Sequence, residues 1–288
     1  MASWLVVDPV GFRYLGHFVV VPVRVGGLEK EFIFDSGMGV TLVSDDLATS
    51  AGCQLTGTSF KGRRMSGQEV EVPLATLPSM ELGGHSMKDV DVAVLDMGAL
   101  AGIEGVSGFL SLSVFDPGAV TIDYLRGTVV VEDDVSLARR VAEGMVVPVE
   151  VERDGPSATV HMSLDLPGGG DPIRVEVDMG SDCLILDAAH AGRLGVDLGS
   201  EDVKRLDGTD ETGHEYARHF TKIAGGVRLS SAPDVFEDDP DVMFQKIIYD
   251  GLLGTAFLRR FRVTFDLANE RVIFGSPVLR RASGGSTK

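Results

Sequence analysis

Short apolar runs, separated by glycine-rich turns, recur along the whole chain. HFVVVPVRV and EFIFD are rich in β-branched and aromatic residues, and the same composition returns in AVTIDY, TVVVE, MVVPVEVE and RVTFD. Runs of this kind, bounded by turn residues, are typical of strands. Long patterns with helical spacing are few. The pattern therefore predicts an all-β chain with a few short helices.

Two of the predicted strands end directly at an aspartate. Asp35 follows the run EFIF and begins the sequence DSG, and Asp178 follows RVEV and begins the sequence DMG. A single such sequence after a strand is an ordinary turn, because Asp and Ser bond nearby backbone groups and glycine readily adopts positive φ. Its recurrence 143 residues further on calls for another explanation.

The same shift of 143 residues aligns other parts of the two halves of the chain. The aligned pairs include Gly26 with Gly169, Gly108 with Gly251, and Asp123 with Asp266. A shift kept at so many positions predicts an internal duplication. We therefore expect two pseudo-symmetric lobes, at residues 1–140 and 141–280, followed by a disordered tail at residues 281–288.

The two aspartates are the strongest candidates for catalysis. If a pseudo-twofold axis relates the lobes and each Asp turn faces that axis, the carboxyl groups of Asp35 and Asp178 meet. Two carboxylates so close together cannot both ionise without a large cost, and they share one proton. One carboxylate can then act as a general base on water, while its protonated partner donates to a substrate carbonyl. Hydrolysis of a peptide bond without a metal is the chemistry that suits such a pair.

Composition and the remaining motifs narrow the classes of function. A net charge of −17 over 288 residues argues against nucleic-acid binding, which needs basic surface. No apolar run approaches the roughly 18 residues of a membrane-spanning helix. The six histidines lack metal-binding spacing and the two cysteines occupy non-equivalent places, so no metal, cofactor or disulfide is predicted. The start of the chain lacks the features of a secretion signal, which favours a soluble, cytoplasmic protein.

These features resemble the two-lobed aspartic proteases of the pepsin and retropepsin superfamily. The resemblance rests on FDSG at 34–37, VDMG at 177–180, DGLLG at 250–254 and the duplicated register, and it covers most of the chain. Lobes of this length without disulfides are most similar to bacterial retropepsin-like domains in tandem. The resemblance implies six-stranded β-barrel lobes, and an endopeptidase whose dyad is Asp35 and Asp178. It also implies a peptide or protein substrate, and a monomer in which the two lobes complete one site.

The resemblance further assigns residues that support the dyad. It implies that the hydroxyl after each Asp bonds across to the opposite loop, a role that Ser36 can fill and Met179 cannot. It implies a second hydroxyl, three residues after the Asp, that bonds the carboxylate, and Ser181 offers one where Met38 does not. The predicted support set is Ser36, Gly37, Gly180, Ser181 and Gly254.

Gly254 belongs to this set because a glycine lets a chain segment pass close beneath the Asp loop. Ser111 stands at the matching place of the first half. The departures at Met38, Ser111 and Met179 leave two interpretations open. The protein is either an active aspartic endopeptidase or a catalytically weak or inactive peptide-binding protein of the same fold.

A β-hairpin that covers the cleft, called a flap, is also expected in each lobe from the resemblance. The candidates are FKGRRMSGQEVEV in the first half and RLDGTDETGHEYARH in the second. The residues predicted at the two tips are Met65, Ser66 and Gly67 in the first hairpin, and Gly213 and His214 in the second.

Overall fold

Apolar runs and alternating apolar and polar residues form strands throughout the protein. The computed structural model describes residues 8–99, 103–210 and 213–275, so the tail predicted at 281–288 lies outside the described residues. The prediction of an all-β chain with a few short helices is confirmed. No helix within the described ranges is both long enough and apolar enough to cross a membrane.

The described residues form 24 strands and three α-helices. The strands of the first half are β1 (Val10–Gly11), β2 (Arg13–Leu15), β3 (Phe18–Val25), β4 (Leu28–Phe34), β5 (Leu42–Ser44), β6 (Gln54–Arg63), β7 (Glu69–Leu82), β8 (His85–Leu95), β9 (Gly108–Leu110), β10 (Ala119–Asp123) and β11 (Thr128–Glu132). The strands of the second half are β12 (Met145–Pro148), β13 (Glu150–Asp154), β14 (Ser157–Asp165), β15 (Ile173–Val177), β16 (Leu184–Asp187), β17 (Lys204–Thr209), β18 (Glu215–Lys222), β19 (Gly226–Leu229), β20 (Ala232–Asp238), β21 (Asp241–Gln245), β22 (Gly251–Leu253), β23 (Arg262–Asp266) and β24 (Arg271–Phe274). The helices are α1 (Asp45–Ser50), α2 (Asp134–Glu143) and α3 (Thr255–Leu258), and short 3-10 helices lie at Met97–Ala99, Leu112–Phe115, Ala188–His190 and Gly192–Leu194.

The first half forms an eight-stranded sheet in the order β2-β3-β4-β9-β5-β8-β7-β6. Its central strand β4 pairs antiparallel with β3 and parallel with β9. The end of β4, Phe32–Phe34, is buried on both faces, which explains why this stretch of sequence is continuously apolar instead of alternating. Burial on both sides fixes the position at which β4 ends.

The second half forms a ten-stranded sheet in which β15 takes the place of β4. It pairs antiparallel with β14 and parallel with β22. The two sheets contain eight and ten strands where the resemblance implied six per lobe. The difference arises because each sheet continues into a long hairpin, β6–β7 or β17–β18, and into short strands at its edges.

The register of the two halves differs in one hairpin. Val20 lies opposite Ile33 between β3 and β4, whereas His161 lies opposite Glu176 between β14 and β15. The connection between β14 and β15 is two residues longer than its counterpart, since Leu164 pairs with Ile173 where Val23 pairs with Lys30. The 143-residue shift therefore relates β4 to β15, but it does not relate β3 to β14.

A third sheet combines strands of both halves in the order β1-β11-β10-β23-β24-β12. At its centre β10 and β23 pair antiparallel, with Thr121 directly opposite Thr264. These two threonines are themselves 143 residues apart, and their hydroxyl oxygens lie 2.7 Å from each other. Two antiparallel strands have a local twofold axis between them when the residues that face each other are related by the repeat shift.

Candidate active site

Each candidate aspartate extends the strand that precedes it by one residue. The Asp35 N–H donates to the Leu110 carbonyl of β9 at 2.9 Å, and the Asp178 N–H donates to the Leu253 carbonyl of β22 at 3.1 Å. Both aspartates are thus held by a backbone bond to the neighbouring parallel strand, after which the chain turns. The Asp35 side chain is 7% exposed, and Asp178 is partly buried. Their positions follow from where two buried strands end.

The two Asp loops face each other. A Cβ atom at Gly37 would overlap Oδ1 of Asp178, and a Cβ atom at Gly180 would lie 2.5 Å from Oδ2 of Asp35. The glycine of each loop therefore leaves the space that the opposite carboxyl group occupies. The two carboxyl groups lie within hydrogen-bonding reach of one another. The structure brings together the two residues that the sequence singled out.

One hydroxyl ties the first loop to the second. The Ser36 hydroxyl is fully buried, donates to the Val177 carbonyl at 2.7 Å and accepts from the Met179 N–H at 3.0 Å. The Met179 side chain makes no such bond and is buried in the core. Its carbonyl instead accepts from the Thr255 hydroxyl at 3.0 Å, so α3 of the same half holds the second loop. Sequence reasoning missed Thr255, although it directly follows Gly254 of the DGLLG motif.

The carboxyl groups receive unequal support from their own loops. Asp178 accepts from the Gly180 N–H at 2.8 Å and from the Ser181 hydroxyl at 2.5 Å. Asp35 accepts from the Gly37 N–H at 2.9 Å. The residue that corresponds to Ser181 is Met38, whose side chain packs in an apolar cluster. Asp178 therefore has one more hydrogen-bond donor from its loop than Asp35 has.

This asymmetry affects the pKa of each carboxyl group. Burial and then the negative charge of Asp178 raise the pKa of Asp35 to about 8, against a lowering bond from the Gly37 N–H. Burial also raises the pKa of Asp178, but the hydrogen bonds from Ser181 and Gly180 oppose that effect. Because hydrogen bonds to a carboxylate favour its charged form, the additional donor at Asp178 favours the carboxylate of Asp178 over that of Asp35.

The chain segments that pass beneath the two Asp loops carry different residues at matching positions, Gly254 in the second half and Ser111 in the first. A Cβ atom at Gly254 would overlap the Cys183 carbonyl and lie 2.8 Å from the Ser181 carbonyl, so glycine is required there. In the first half Ser111 is fully buried, and its hydroxyl donates to the Gly39 carbonyl at 2.9 Å. The departure at Ser111 is therefore accommodated by a hydrogen bond that closes the first loop.

A histidine also bonds the second loop. His17, in the turn between β2 and β3, donates from Nε2 to the Gly180 carbonyl at 2.8 Å, since a carbonyl can only accept. Sequence reasoning considered His17 only as a metal ligand and did not connect it with the site. The bond joins residues 163 positions apart, and no local pattern indicates it.

The tip of the first hairpin, between β6 and β7, reaches the second half of the molecule. The Ile248 N–H donates to the Met65 carbonyl at 2.9 Å. A Cβ atom at Gly67 would lie 2.8 Å from Cγ2 of Ile248, so the tip fits closely against this residue. Ser66, between Met65 and Gly67 in the sequence, is partly buried. Met65 and Gly67 of the predicted first tip therefore contact the second half of the chain.

The tip of the second hairpin, between β17 and β18, lies beside the first. The His214 N–H donates to Oδ1 of Asp210 at 3.0 Å, and the Gly213 N–H donates to the Asp210 carbonyl at 2.9 Å. Oδ2 of Asp210 lies 3.7 Å from Nε of Arg64 in the first hairpin. The two hairpin tips thus meet through an ion pair.

A cavity lies beside each Asp loop. The larger, of about 800 Å³, is lined in part by Gly180, Ser181 and the hairpin residue Met65. The smaller, of about 530 Å³, is lined in part by Gly37 and by Tyr249. Concave spaces on both sides of a carboxyl pair can hold the side chains of an extended peptide whose backbone crosses the pair.

Comparison with known families agrees with the geometry of the first half. Residues 21–111 match the model of a family described as Aspartyl protease, a segment that contains Asp35 and ends at Ser111. A comparison with curated proteins gave no match. The family match supports a general aspartic protease function. In its first half, the chain is similar to the aspartyl proteases.

Proposed function

We propose that the protein is an aspartic endopeptidase in which Asp35 and Asp178 together activate one water for attack on a peptide bond. The observation that carries this proposal is the mutual fit of the loops, in which Gly37 and Gly180 each face the opposite carboxyl group. The substrate would be a peptide or protein segment bound in the cleft between the two halves, with side chains in the cavities on either side. Each half supplies one carboxyl group, so the site exists only when both are present.

The unequal hydrogen bonding assigns the roles within the pair. The Asp178 carboxylate removes a proton from the bound water, whose oxygen attacks the carbonyl carbon of the scissile bond. Asp35 donates its proton to the carbonyl oxygen, so that the intermediate carries two hydroxyl groups and no net negative charge. Collapse of this intermediate passes a proton to the leaving nitrogen as the C–N bond breaks, and the pair again holds one proton. Ser36 keeps the loops in register during these steps and so limits reorganisation of the site.

The second candidate is a peptide-binding protein of the same fold with weak or no catalysis. It is favoured by Met38, which leaves Asp35 without a hydroxyl donor, and by Met179, which removes one of two expected cross-loop hydroxyls. A lost hydrogen bond costs about 1 kcal/mol, and 1.4 kcal/mol is about tenfold in rate. These departures therefore reduce the rate without abolishing it, and Thr255 offsets the second by holding the Met179 carbonyl.

The test is proteolysis of a mixed peptide library from acid to neutral pH, with wild type beside Asp35→Asn and Asp178→Asn. We expect cleavage to fall at least about 1,000-fold in each variant, because neither half of the pair can act alone. Asp171→Asn, the same change at an exposed position, is the control and should cleave as wild type does. Cleavage unaffected by both dyad changes would remove the proposal, and tight binding of pepstatin without cleavage would establish the peptide-binding alternative.

A further inference from the structure

The wall of the smaller cavity differs in chemistry from the matching surface of the first half. In the first half, Val20 and Ile33 face each other across β3 and β4 and are buried in an apolar cluster. In the second half, the pair at this place across β14 and β15 is His161 with Glu176. Two titratable side chains therefore replace an apolar pair directly beside the Asp loops.

A third substitution accompanies these two. Val106 belongs to the same apolar cluster of the first half, and the 143-residue shift carries it to Tyr249. The ring centroids of Tyr249 and His161 lie 6.5 Å apart, and Tyr249 lines the smaller cavity together with Glu176. Three neighbouring polar residues thus occupy the places of three residues of one apolar cluster. A purely structural role requires no such exchange, because the apolar version already packs well.

Glu176 points towards the site. It lies two residues before Asp178, and side chains two apart on a strand point to the same face. Its side chain lines the smaller cavity and is 5% exposed. Among the described residues, no Lys or Arg lies within 4.0 Å of its carboxylate. Arg174, on the same face of β15, is instead paired with Glu150 at 2.8 Å and Glu152 at 3.0 Å.

His161 does not supply the missing positive charge. Its Nε2 lies 4.0 Å from Oε2 of Glu176, and the residue is 3% exposed. Neither ring nitrogen has a hydrogen-bond partner among the described residues. Burial lowers the pKa of His161 to about 4, so the ring is neutral near neutral pH. Burial and then the charges of Asp178 and Asp35 raise the pKa of Glu176 well above its ordinary value, and Arg174 opposes them only in part. A cation bound beside Glu176 would lower that pKa and so favour the carboxylate form.

We infer that Glu176 is the specificity-determining residue of a subsite that takes a cationic side chain, lysine or arginine, of the peptide substrate. The inference rests on the proposed function, since the dyad positions the peptide backbone beside this cavity. The ammonium or guanidinium group would bind the Glu176 carboxylate, with the Tyr249 hydroxyl as a second acceptor. The cavity of about 530 Å³ has room for such a side chain.

The entrance of the cavity favours the same kind of side chain. Its titratable lining is Glu69, Glu152, Asp154 and Glu176 against Lys61 and Arg63. Arg63 is already paired with Glu69 at 3.3 Å. The negative charge of this lining would attract a cation, and the buried Glu176 at its inner end would hold it with little competition from water.

The experiment uses pairs of peptides that differ only in arginine or citrulline at one position next to the scissile bond. Citrulline keeps the shape of arginine and lacks its charge. We expect wild type to cleave the arginine member with a kcat/KM at least about tenfold higher at a single subsite. In Glu176→Gln, which has the same shape without the charge, the arginine-to-citrulline ratio should fall to within about twofold. Glu201→Gln removes a charge at an exposed position outside the cavity lining and should keep the wild-type ratio.

The two hypotheses can fail separately. A wild-type ratio near one at every position, or a full ratio retained in Glu176→Gln, would overturn the subsite while leaving the endopeptidase intact. If no peptide is cleaved at all, the proposed function fails, and calorimetric binding of the same peptide pairs decides the subsite. Binding of the arginine peptide about tenfold tighter in wild type, and equal binding of both peptides in Glu176→Gln, would still support it. Equal binding of both peptides to wild type would end it.

Discussion

At the scale of single residues, two aspartates with nearly identical backbone surroundings differ in the donors that reach their carboxyl oxygens. Both accept an N–H from the glycine two residues on, at 2.9 Å for Asp35 and 2.8 Å for Asp178. The Ser181 hydroxyl adds a bond to Asp178 alone. Under the proposed function, this single serine, with methionine at the matching place, separates the roles of acid and base.

Replacement of Ser181 by alanine should therefore weaken the base. Loss of the hydroxyl raises the pKa of Asp178, so a larger fraction is protonated at low pH and the acid limb of the pH profile of kcat/KM moves to higher pH. A hydrogen bond to a charged group contributes about 1.5–3 kcal/mol, so kcat/KM on the acid limb should fall roughly 10- to 100-fold. Ser50→Ala, which removes a hydroxyl bonded to the Leu47 carbonyl far from the site, should leave the profile unchanged. An acid limb at the wild-type position in Ser181→Ala would contradict the assignment of the base.

Asp35 should also make the stability of the protein depend on pH. Its pKa is about 8 in the folded protein and near 3.8 in the unfolded chain, so the folded state binds the proton more tightly. The stabilisation by protonated Asp35 is complete below pH 3.8 and is lost as the pH rises towards 8. Asp35→Asn keeps the neutral form at every pH. Its free energy of unfolding should exceed that of wild type by an amount that grows through this window to a few kcal/mol.

Urea denaturation at several pH values measures this difference. Asp171→Asn, at an exposed carboxyl group, is the matched control and should show little change in the difference across the same window. A constant difference between Asp35→Asn and wild type from acid to mildly alkaline pH would show that Asp35 titrates normally in the folded protein.

At the scale of structural elements, the first hairpin tip contacts the second half of the chain at Ile248. Gly67 (φ +85°) and Gly57 (φ +77°) both lie on this hairpin with left-handed backbone. Alanine at either position carries a backbone cost of about 1 kcal/mol. Only at Gly67 does the new methyl group meet another residue, Ile248, at 2.8 Å, and a Cβ atom at Gly57 meets nothing within 4 Å.

Gly67→Ala should therefore displace the tip, and Gly57→Ala should not. Loss of the bond between the Ile248 N–H and the Met65 carbonyl, worth about 1 kcal/mol, predicts a fall of about fivefold in kcat/KM for Gly67→Ala, mainly through KM. Gly57→Ala should change kcat/KM less than twofold despite a similar loss of thermal stability. Equal kinetic effects in the two variants would mean that the tip does not contact the bound peptide.

The elements also show what the sequence can and cannot predict. Asp35, Asp178, Ser36 and Ser181 could be identified because each lies in a short loop after a buried strand, where the local sequence limits the backbone. Contacts between elements distant in sequence were not predicted. His17 bonds a carbonyl 163 residues away and Thr255 bonds one 76 residues away, and neither residue stands in a pattern that indicates its partner. His161, which faces Glu176 across β14 and β15, was missed for a related reason, because two extra residues in the turn between these strands change which residue faces Glu176.

At the scale of the whole molecule, the site depends on how the two halves are placed against each other. Each half supplies one aspartate, and the six-stranded sheet shared by both halves connects them through the pairing of β10 with β23. Thr121 and Thr264 face each other at the centre of this pairing and are both buried, and they correspond under the repeat shift. The pairing of β10 with β23 therefore joins the two halves at a place separate from the bonds that Ser36 and His17 make between them.

The threonine pair gives a thermodynamic test of this contact. In Thr121→Val or Thr264→Val, the remaining hydroxyl loses its partner at 2.7 Å inside the sheet, and each single change should cost about 1–3 kcal/mol of the free energy of unfolding. The double variant leaves two valines, which have nearly the shape of threonine and no hydroxyl to satisfy. Its cost should be smaller than the sum of the single costs by about 1 kcal/mol or more. Urea denaturation of the four proteins measures the coupling, and costs that simply add would show that the two hydroxyls do not depend on each other.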